Sequence, residues 1–336
     1  MPPTAHTIIL NWLDPQATAS CLRALAAQTQ PPAQTIVVHN GPDNADLTPI
    51  RAAGVPFRLL RPGRNLGFTG GVNLGLATAL ADGADLIWLL NSDAEPAPDA
   101  LARLVARATA EPRAGLVAPV IRNSSDGGNP DFWGGLIHPA PLHFSMSANQ
   151  EDFAAWSRDT PDRIWLAGAA LLVTRNLAEA IGGLDESLFA YWDDHDYSLR
   201  ANAAGFRNIL EPTAIVTHCA KPREDGAPTK PPYYYYYVAR NHVLLLAKHG
   251  GLRANRRALA WLVARQFHTA HLLRADAATV GAIAAGIADG LAGRGGEYNP
   301  GRRPPLWAPA TPALGAILGR TWLHTAGSPV RRQPDR

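Results

Sequence analysis

The chain has 336 residues, 46% of them hydrophobic, with a net charge of +3, which permits a large buried core and excludes an intrinsically disordered protein. Its two cysteines, Cys21 and Cys219, lie far apart without CxxC spacing, excluding a disulfide framework or structural zinc site and favouring a reducing compartment. The start shows no basic-apolar-small pattern and the most apolar stretch, residues 277–292, carries Asp289, so neither a secretory signal nor a spanning helix is expected.

In chain order, residues 6–11 and 34–40 read as buried strands, short β-rich apolar runs that each end at an asparagine, Asn11 and Asn40. Between them, Ala17, Cys21, Leu22 and Leu25 have helical spacing. A strand over 56–60 leads to the glycine-rich segment Asn65 to Gly75, which opens a helix reaching about Ala81. Residues 85–90 form the clearest strand, 98–110 the next helix and 115–121 a further strand. Strands alternating with helices of ten to fifteen residues predict an α/β fold with right-handed crossovers and a mainly parallel sheet. Ligands on such sheets bind beyond the carboxyl ends of the strands, where Asn11, His39-Asn40 and Asn91-Ser92-Asp93 all fall.

Residues 122–160 lose periodicity and read as a long insertion at the active site. Order returns at Arg163 to Thr174, where Trp165 to Val173 read as one central strand. A helix from Asp194 to Gly205 follows, then a strand from Ile209 to Thr217 that ends at His218. Beyond Pro232 the chain reads as helices, the first over 233–249 and the second over 252–273, while 302–305 and 331–334 read as irregular. The division expected is an α/β part over 1–230, in two halves that meet near 121, and a basic helical region over 231–336.

Four motifs carry chemistry. Asn91-Ser92-Asp93 follows an apolar strand and Glu95 lies two residues beyond Asp93, so oxygen ligands for Mg²⁺ or Mn²⁺ stand at the mouth of the sheet, although the same residues make a good turn and helix cap. Asp193, Asp194 and Asp196 crowd three carboxylates into four residues, which raises at least one proton affinity, as a base requires. A helix N-terminus also welcomes such acids. His218 at a strand end suits a Mn²⁺ ligand or an ordinary hydrogen-bonded histidine. Gly67, Gly70, Gly71 and Gly75 allow close approach of a diphosphate or of a packed neighbour, and match neither GxGxxG nor GxxxxGK. Tyr233 to Tyr237 would wrap a helix on all faces, with Arg240 either reaching an anion or solvated.

Taken in order, Ile36 to Gly41, Asn65 to Asn73, Leu89 to Glu95 and Trp192 to Tyr197 resemble the family 2 inverting glycosyltransferases, in their rhamnosyltransferase and galactofuranosyltransferase-like branch. The resemblance covers residues 6–250 and implies a catalytic domain over 1–230, with a nucleotide-sugar half to about 121 and an acceptor half to 230. It implies a glycosyltransferase A-type fold, Rossmann-like, with Asn11, His39 and Asn40 at the nucleoside and Asn65, Gly67, Gly70, Asn73, Asn91, Ser92 and Asp93 toward the donor. It further implies Asp194 as base, with Asp193 and Asp196 next in line, and a divalent cation, Mn²⁺ or Mg²⁺, on Asp93, Glu95 and His218. His39 and Asn91 each stand where the family commonly has aspartate.

The expected partners are a nucleoside-diphosphate sugar and a glycan or lipid-linked acceptor of cell-surface polysaccharide synthesis, with no nucleic acid. The basic C-terminal region, with Lys248, Arg253, Arg256, Arg257, Arg265 and Arg274 beside apolar residues, is expected at the cytoplasmic face of a membrane or simply as a solvated surface. Two rivals are a sugar-phosphate nucleotidyltransferase, whose basic glycine-rich loop would replace Asn11 to Pro15, and a non-catalytic nucleotide-sugar or glycan-binding protein, for which the acidic triplet would be unneeded.

Overall fold

The computed structural model describes residues 2–123, 131–147, 149–219 and 230–301. Contacts group the chain into two units, one drawn from residues 1–138 and 144–222, the other from 139–143 and 223–336.

The first unit begins with β1 (Ala5–Asn11), α1 (Pro15–Ala26) and β2 (Gln34–His39). Asp14 caps α1 by accepting from the Ala17 amide at 2.9 Å, and Pro15 supplies a first-turn residue that needs no partner for a missing N–H. There follow α2 (Thr48–Arg51), β3 (Arg58–Leu60), α3 (Gly67–Ala81), β4 (Leu86–Asn91), β5 (Ala94–Pro96), α4 (Ala100–Ala110) and β6 (Ala114–Asn123). The 122–160 stretch is more regular than its composition suggests: after β6 come β7 (Gly135–Pro139), β8 (Leu142–Met146) and α5 (Gln150–Asp159). The strand expected over 165–173 is broken into β9 (Ile164–Trp165) and β10 (Ala170–Thr174), with a turn at Gly168 and Ala169. Then come α6 (Arg175–Ile181), α7 (Asp193–Ala203) and β11 (Arg207–His218).

Eight strands form one sheet in the order β3-β2-β1-β4-β10-β6-β11-β5. Strands β3, β2, β1 and β4 are parallel neighbours, as are β6 and β11. Only β10 and β5 run against the rest. Because β10 is antiparallel to both β4 and β6, it preserves their common direction, and the carboxyl ends of β1, β2, β4 and β11 share one edge. The central strands read as unbroken apolar runs because both faces are covered: Ile8, Ile36, Val38, Ile87 and Leu89 are all buried.

Helix α3 lies against this sheet because its glycines leave room. A Cβ on Gly71 would come 2.4 Å from Leu10, and one on Gly75 would come 2.6 Å from Ile8. The glycine-rich pattern is therefore a packing pattern at these two positions.

The second unit contains α8 (Pro232–Lys248), α9 (Arg256–Leu272) and α10 (Ala277–Leu291). Gly286 and Gly290 bring α10 directly onto the α8 backbone, since a Cβ at Gly286 would meet the Tyr236 carbonyl oxygen at 2.4 Å. The tyrosine run divides as a helix dictates: Tyr233 is exposed, whereas Tyr235, Tyr236 and Tyr237 are buried. Tyr236 donates its hydroxyl to Asp289 Oδ2 at 2.7 Å, and Arg294 closes the other carboxylate oxygen at 2.8 Å. Arg240 is not the solvated surface residue that one reading of the sequence allowed. It is fully buried, 5.2 and 5.0 Å from the ring centres of Tyr236 and Tyr237, a favourable place for a guanidinium deprived of water. No helix among the described residues is long and apolar enough to cross a membrane. The segments 302–305 and 331–334 lie outside the described residues.

Candidate active site

The shared edge of the sheet brings three of the four sequence motifs within one frame. Asn91 ends β4 and His218 ends β11, and the Asn91 amide nitrogen stands 3.4 Å from His218 Nε2. Asp93 Oδ1 lies 3.2 Å from the same imidazole nitrogen. The Cys219 amide donates to the Asp93 carbonyl at 2.7 Å, so backbone as well as side chain binds the β4–β5 turn to the end of β11. Burial alone would raise the Asp93 carboxyl, but the hydrogen bond and charge of His218 outweigh it and hold Asp93 below its ordinary range. Ser92 sits half-buried in the same turn.

The donor set fits a hard cation. Cis ligands of a six-coordinate ion at about 2.1 Å stand about 3 Å apart, which matches the 3.2 Å between Asp93 Oδ1 and His218 Nε2. No cluster of three or more His, Cys, Asp or Glu side chains arranged for a metal occurs among the described residues, so a cation here would draw its other ligands from water and a substrate. Glu95 is the residue that does not join. It pairs with Thr217 while Ala94 pairs with His218, and successive side chains leave opposite faces of a strand, so the exposed Glu95 points away from the His218 face.

The acidic triplet divides into three roles. Asp196 is fully buried and its Oδ2 accepts from Arg200 Nε at 2.8 Å. Arg200 goes on to donate to the carbonyls of Ile181 and Gly183. That pairing ties α7 to the end of α6 and removes Asp196 from consideration as a base. Asp193 is buried, and desolvation, reinforced by Asp194 and then Asp196, pushes its carboxyl up to about 8; the crowding expected from the sequence falls on this residue. Asp194 is the opposite. Burial pushes it up, but the charge and hydrogen bond of His195 and the Gly168 amide pull it further down, so it is held ionised. Its Oδ1 lies 2.7 Å from His195 Nδ1 and its Oδ2 accepts from the Gly168 amide at 3.1 Å. An ionised carboxylate only accepts, so Nδ1 carries the proton.

The turn between β9 and β10 joins the two clusters. Gly168 donates to Asp194, and its neighbour Ala169 accepts from the Asn91 amide at 2.9 Å. A Cβ on Gly168 would stand 3.3 Å from that of Asp194. Sequence reasoning missed this turn, because Gly168 sits inside an apolar run that reads as uninterrupted strand; the glycine itself was the available signal.

The remaining donor-side candidates are committed to the protein itself. His39 is buried, donating from Nε2 to the Pro42 carbonyl at 2.9 Å and using Nδ1 for Asn11 Nδ2 at 2.8 Å. Asn11 also bonds Thr18 at 2.8 Å. Asn40 donates to Asn65 and to the Gly67 carbonyl, both at 2.9 Å, and accepts from the Leu66 amide. Asn73 exchanges two bonds with Leu184 and reaches Glu186. Gly67, at φ +73°, leaves space for Phe189, whose carbonyl oxygen would lie 2.5 Å from an added Cβ. Gly70 is tight against Leu66. These residues shape the edge of the sheet through internal bonds.

Three residues just before the triplet, Phe189, Tyr191 and Trp192, have φ of +64°, +67° and +66°. Bulky side chains rarely adopt this region, and such strain gathers at functional sites. Cys21 is inert: it is buried, with its thiol pushed up by desolvation and directed at the Asn91 carbonyl at 3.6 Å.

Residues 8–167 match the model of the Glycosyl transferase family 2. The N-acetylglucosaminyl-diphospho-decaprenol L-rhamnosyltransferase of Mycobacterium tuberculosis is 29% identical over 221 residues, spanning 59% of this chain and 70% of the relative. Galactofuranosyltransferase GlfT1 of the same organism is 38% identical over 132 residues, 38% of this chain and 42% of that protein. Among solved structures, the mannosyltransferase PcManGT from Pyrobaculum calidifontis, in complex with GDP-Man and Mn²⁺, aligns with a TM-score of 0.54 at 19% identity over 96% of this chain and 82% of its own. S. aureus TarS in complex with UDP-GlcNAc aligns with a TM-score of 0.54 at 14% identity, covering 84% and 80%. These likenesses show a glycosyltransferase A-type fold.

Proposed function

Because the chain is a glycosyltransferase with a family 2 domain over residues 8–167, we propose that it moves a sugar from a nucleoside-diphosphate donor to a hydroxyl of a glycan or lipid-linked acceptor, in one inverting step. The observation that carries this reading is the two-residue link Gly168-Ala169, which joins the ionised Asp194 to the end of β4 at Asn91, beside the Asp93–His218 pair.

Asp194 is the base. As the acceptor oxygen forms its bond to the anomeric carbon, the carbon–oxygen bond to the diphosphate breaks on the opposite face, the electron pair leaves with the diphosphate and the hydroxyl proton passes to Asp194. Asp93 and His218 would hold a divalent cation, Mn²⁺ or Mg²⁺, which when bound neutralises the charge gathering on the leaving diphosphate. Asp193, neutral at pH 7 by virtue of its raised affinity, adds no second negative charge beside the base.

The sugar proposed is rhamnose- or galactofuranose-like, on the strength of the two M. tuberculosis relatives, and the acceptor is lipid-linked because one of them is named for a diphospho-decaprenol compound. Such an acceptor places the enzyme at the cytoplasmic face of a membrane, in cell-surface polysaccharide synthesis. The nucleotidyltransferase alternative has no feature of the site in its favour, since residues 11–15 form a cap for α1 in place of a basic loop. Purified protein incubated with UDP-, GDP- and dTDP-sugars and Mn²⁺ tests the reading by thermal shift and donor hydrolysis. Stabilisation and hydrolysis with one nucleotide class is the expected result; no response to any sugar nucleotide overturns it.

A further inference from the structure

We propose that His195 is a positioning residue that decides which oxygen of Asp194 takes the acceptor proton. The inference rests on the reading of Asp194 as base and concerns its neighbour, which that reading leaves without a role.

An ionised carboxylate oxygen has two lone-pair sites. Both sites of Asp194 Oδ1 are used, one by the His195 backbone amide at 2.8 Å and one by His195 Nδ1 at 2.7 Å. Among the described residues, Oδ2 accepts from the Gly168 amide alone, at 3.1 Å, and keeps one site open. The proton leaving the acceptor hydroxyl therefore lands on Oδ2. Any residue but proline at position 195 supplies the backbone bond, so the imidazole bond alone depends on this being histidine. Without it, Oδ1 regains a free site, and the terminal torsion of aspartate is soft enough to present either oxygen.

The imidazole is held in plane by aromatic neighbours. Trp165 stacks on it with ring centres 3.9 Å apart and planes at 24°, Phe144 meets it edge-on at 4.6 Å and 89°, and Trp192 closes a third side at 4.6 Å. Trp165 is itself anchored, donating Nε1 to the Ser145 carbonyl at 3.0 Å and packing on Phe132. Gly135 is required for this placement, because a Cβ there would stand 2.0 Å from Trp165 Nε1. The side chain of His195 is only 15% exposed, so the arrangement is a fixed one.

The decisive comparison is between His195→Phe, which keeps the stacked ring and loses the donor, and His195→Asn, whose amide nitrogen stands at the place of Nδ1 and keeps the donor without the ring. A purely packing role favours Phe over Asn; the positioning role demands the reverse. In a transfer assay of the full-length protein, His195→Phe is expected to lose at least about tenfold in kcat with donor KM unchanged, because it misorients a reacting group without touching the donor, while His195→Asn recovers most of the turnover. Wild-type kcat in the Phe variant, or equal loss in both, overturns the inference. Should circular dichroism show the Phe variant unfolded, His195→Asn against His195→Gln decides, since the same amide reaches the Nδ1 position only in Asn, and equal activity of the two overturns the inference. Asp194→Asn run alongside separates the two levels: if it is inactive and His195→Phe is not, only the positioning role falls, whereas an active Asp194→Asn removes the base assignment and the positioning role together.

Discussion

The amide of Gly168 donates to Oδ2 of Asp194 across 3.1 Å, from a turn that interrupts what would otherwise be a continuous strand between β9 and β10. The turn thus gives the carboxylate a partner from the sheet at the same edge where Asp93 and His218 meet.

Asp194→Asn removes proton acceptance with little change in volume. Transfer is expected to fall by roughly 10² or more, the usual contribution of a positioned base, while donor affinity by calorimetry and the melting temperature stay near wild type. Transfer within about tenfold of wild type would move the role to another group.

Chelation tests the Asp93–His218 pair. With Mn²⁺ present, nucleoside-diphosphate binding measured by calorimetry is expected to tighten, and EDTA is expected to abolish turnover. Asp93→Asn should weaken the metal-dependent part of that binding and leave the metal-free part alone. Binding and turnover indifferent to EDTA would assign the leaving diphosphate to arginine or lysine side chains.

Asp193 gives a pH signature in stability. Its carboxyl titrates near 4 when unfolded and is pushed up to about 8 in the fold by burial and by Asp194. Between these values the native state holds a proton that the unfolded state has lost, so this residue's contribution is fully present below about pH 4 and drains away as pH rises to about 8. Asp193→Asn has no such titration. Its melting temperature relative to wild type should therefore climb from pH 4 to pH 8 and then level off, and a flat difference would show that the group is not buried in its neutral form.

Gly67→Ala places a Cβ in a left-handed backbone and against the Phe189 carbonyl oxygen. Adding about 1–2 kcal/mol for the conformation to about 1–3 for overpacking gives a loss of roughly 2–5 kcal/mol, measurable by urea unfolding. A loss below about 1 kcal/mol would mean that the 186–192 segment yields freely.

Lys248, Arg253, Arg256, Arg257, Arg265 and Arg274 are all exposed, and Leu272 and Leu273 are exposed beside the last of them. Sedimentation with anionic vesicles is expected at low salt, with release as screening rises and loss on changing Arg253, Arg256 and Arg257 to Gln. Equal failure with anionic and neutral vesicles would leave these residues as an ordinary solvated surface.

The fold was legible wherever a periodic pattern coincided with an unbroken element. Strand β4 and helix α7 lie within a residue or two of where apolar runs and acidic punctuation placed them. The alternation of strands and helices also predicted the shared carboxyl edge correctly. It did not predict that β10 runs against its neighbours, because a buried strand has the same apolar composition in either direction. At the site, residue type marked Asp93, Asp194 and His218, but the division of labour among three aspartates depended on Arg200 and Gly168, which come from a later turn of the helix and a distant loop. His39 and Asn40 were located at the right strand end, yet only the three-dimensional partners reveal that their polar atoms are spent on Pro42, Asn11 and Asn65.

The contact between Gly67 and Phe189 bears on how this enzyme can be re-engineered. The Phe189 carbonyl accepts from the Thr69 amide at 3.1 Å while its ring fills the space that Gly67 leaves, so the entry to α3 and the left-handed run leading to Asp194 are cut to fit one another. Grafting residues 65–71 from a transferase with a different donor preference would import a new surface beneath Phe189 and shift the segment that leads into Asp194. Residues 65–71 and 186–194 are not separately exchangeable: a working chimera has to carry them across as a matched set.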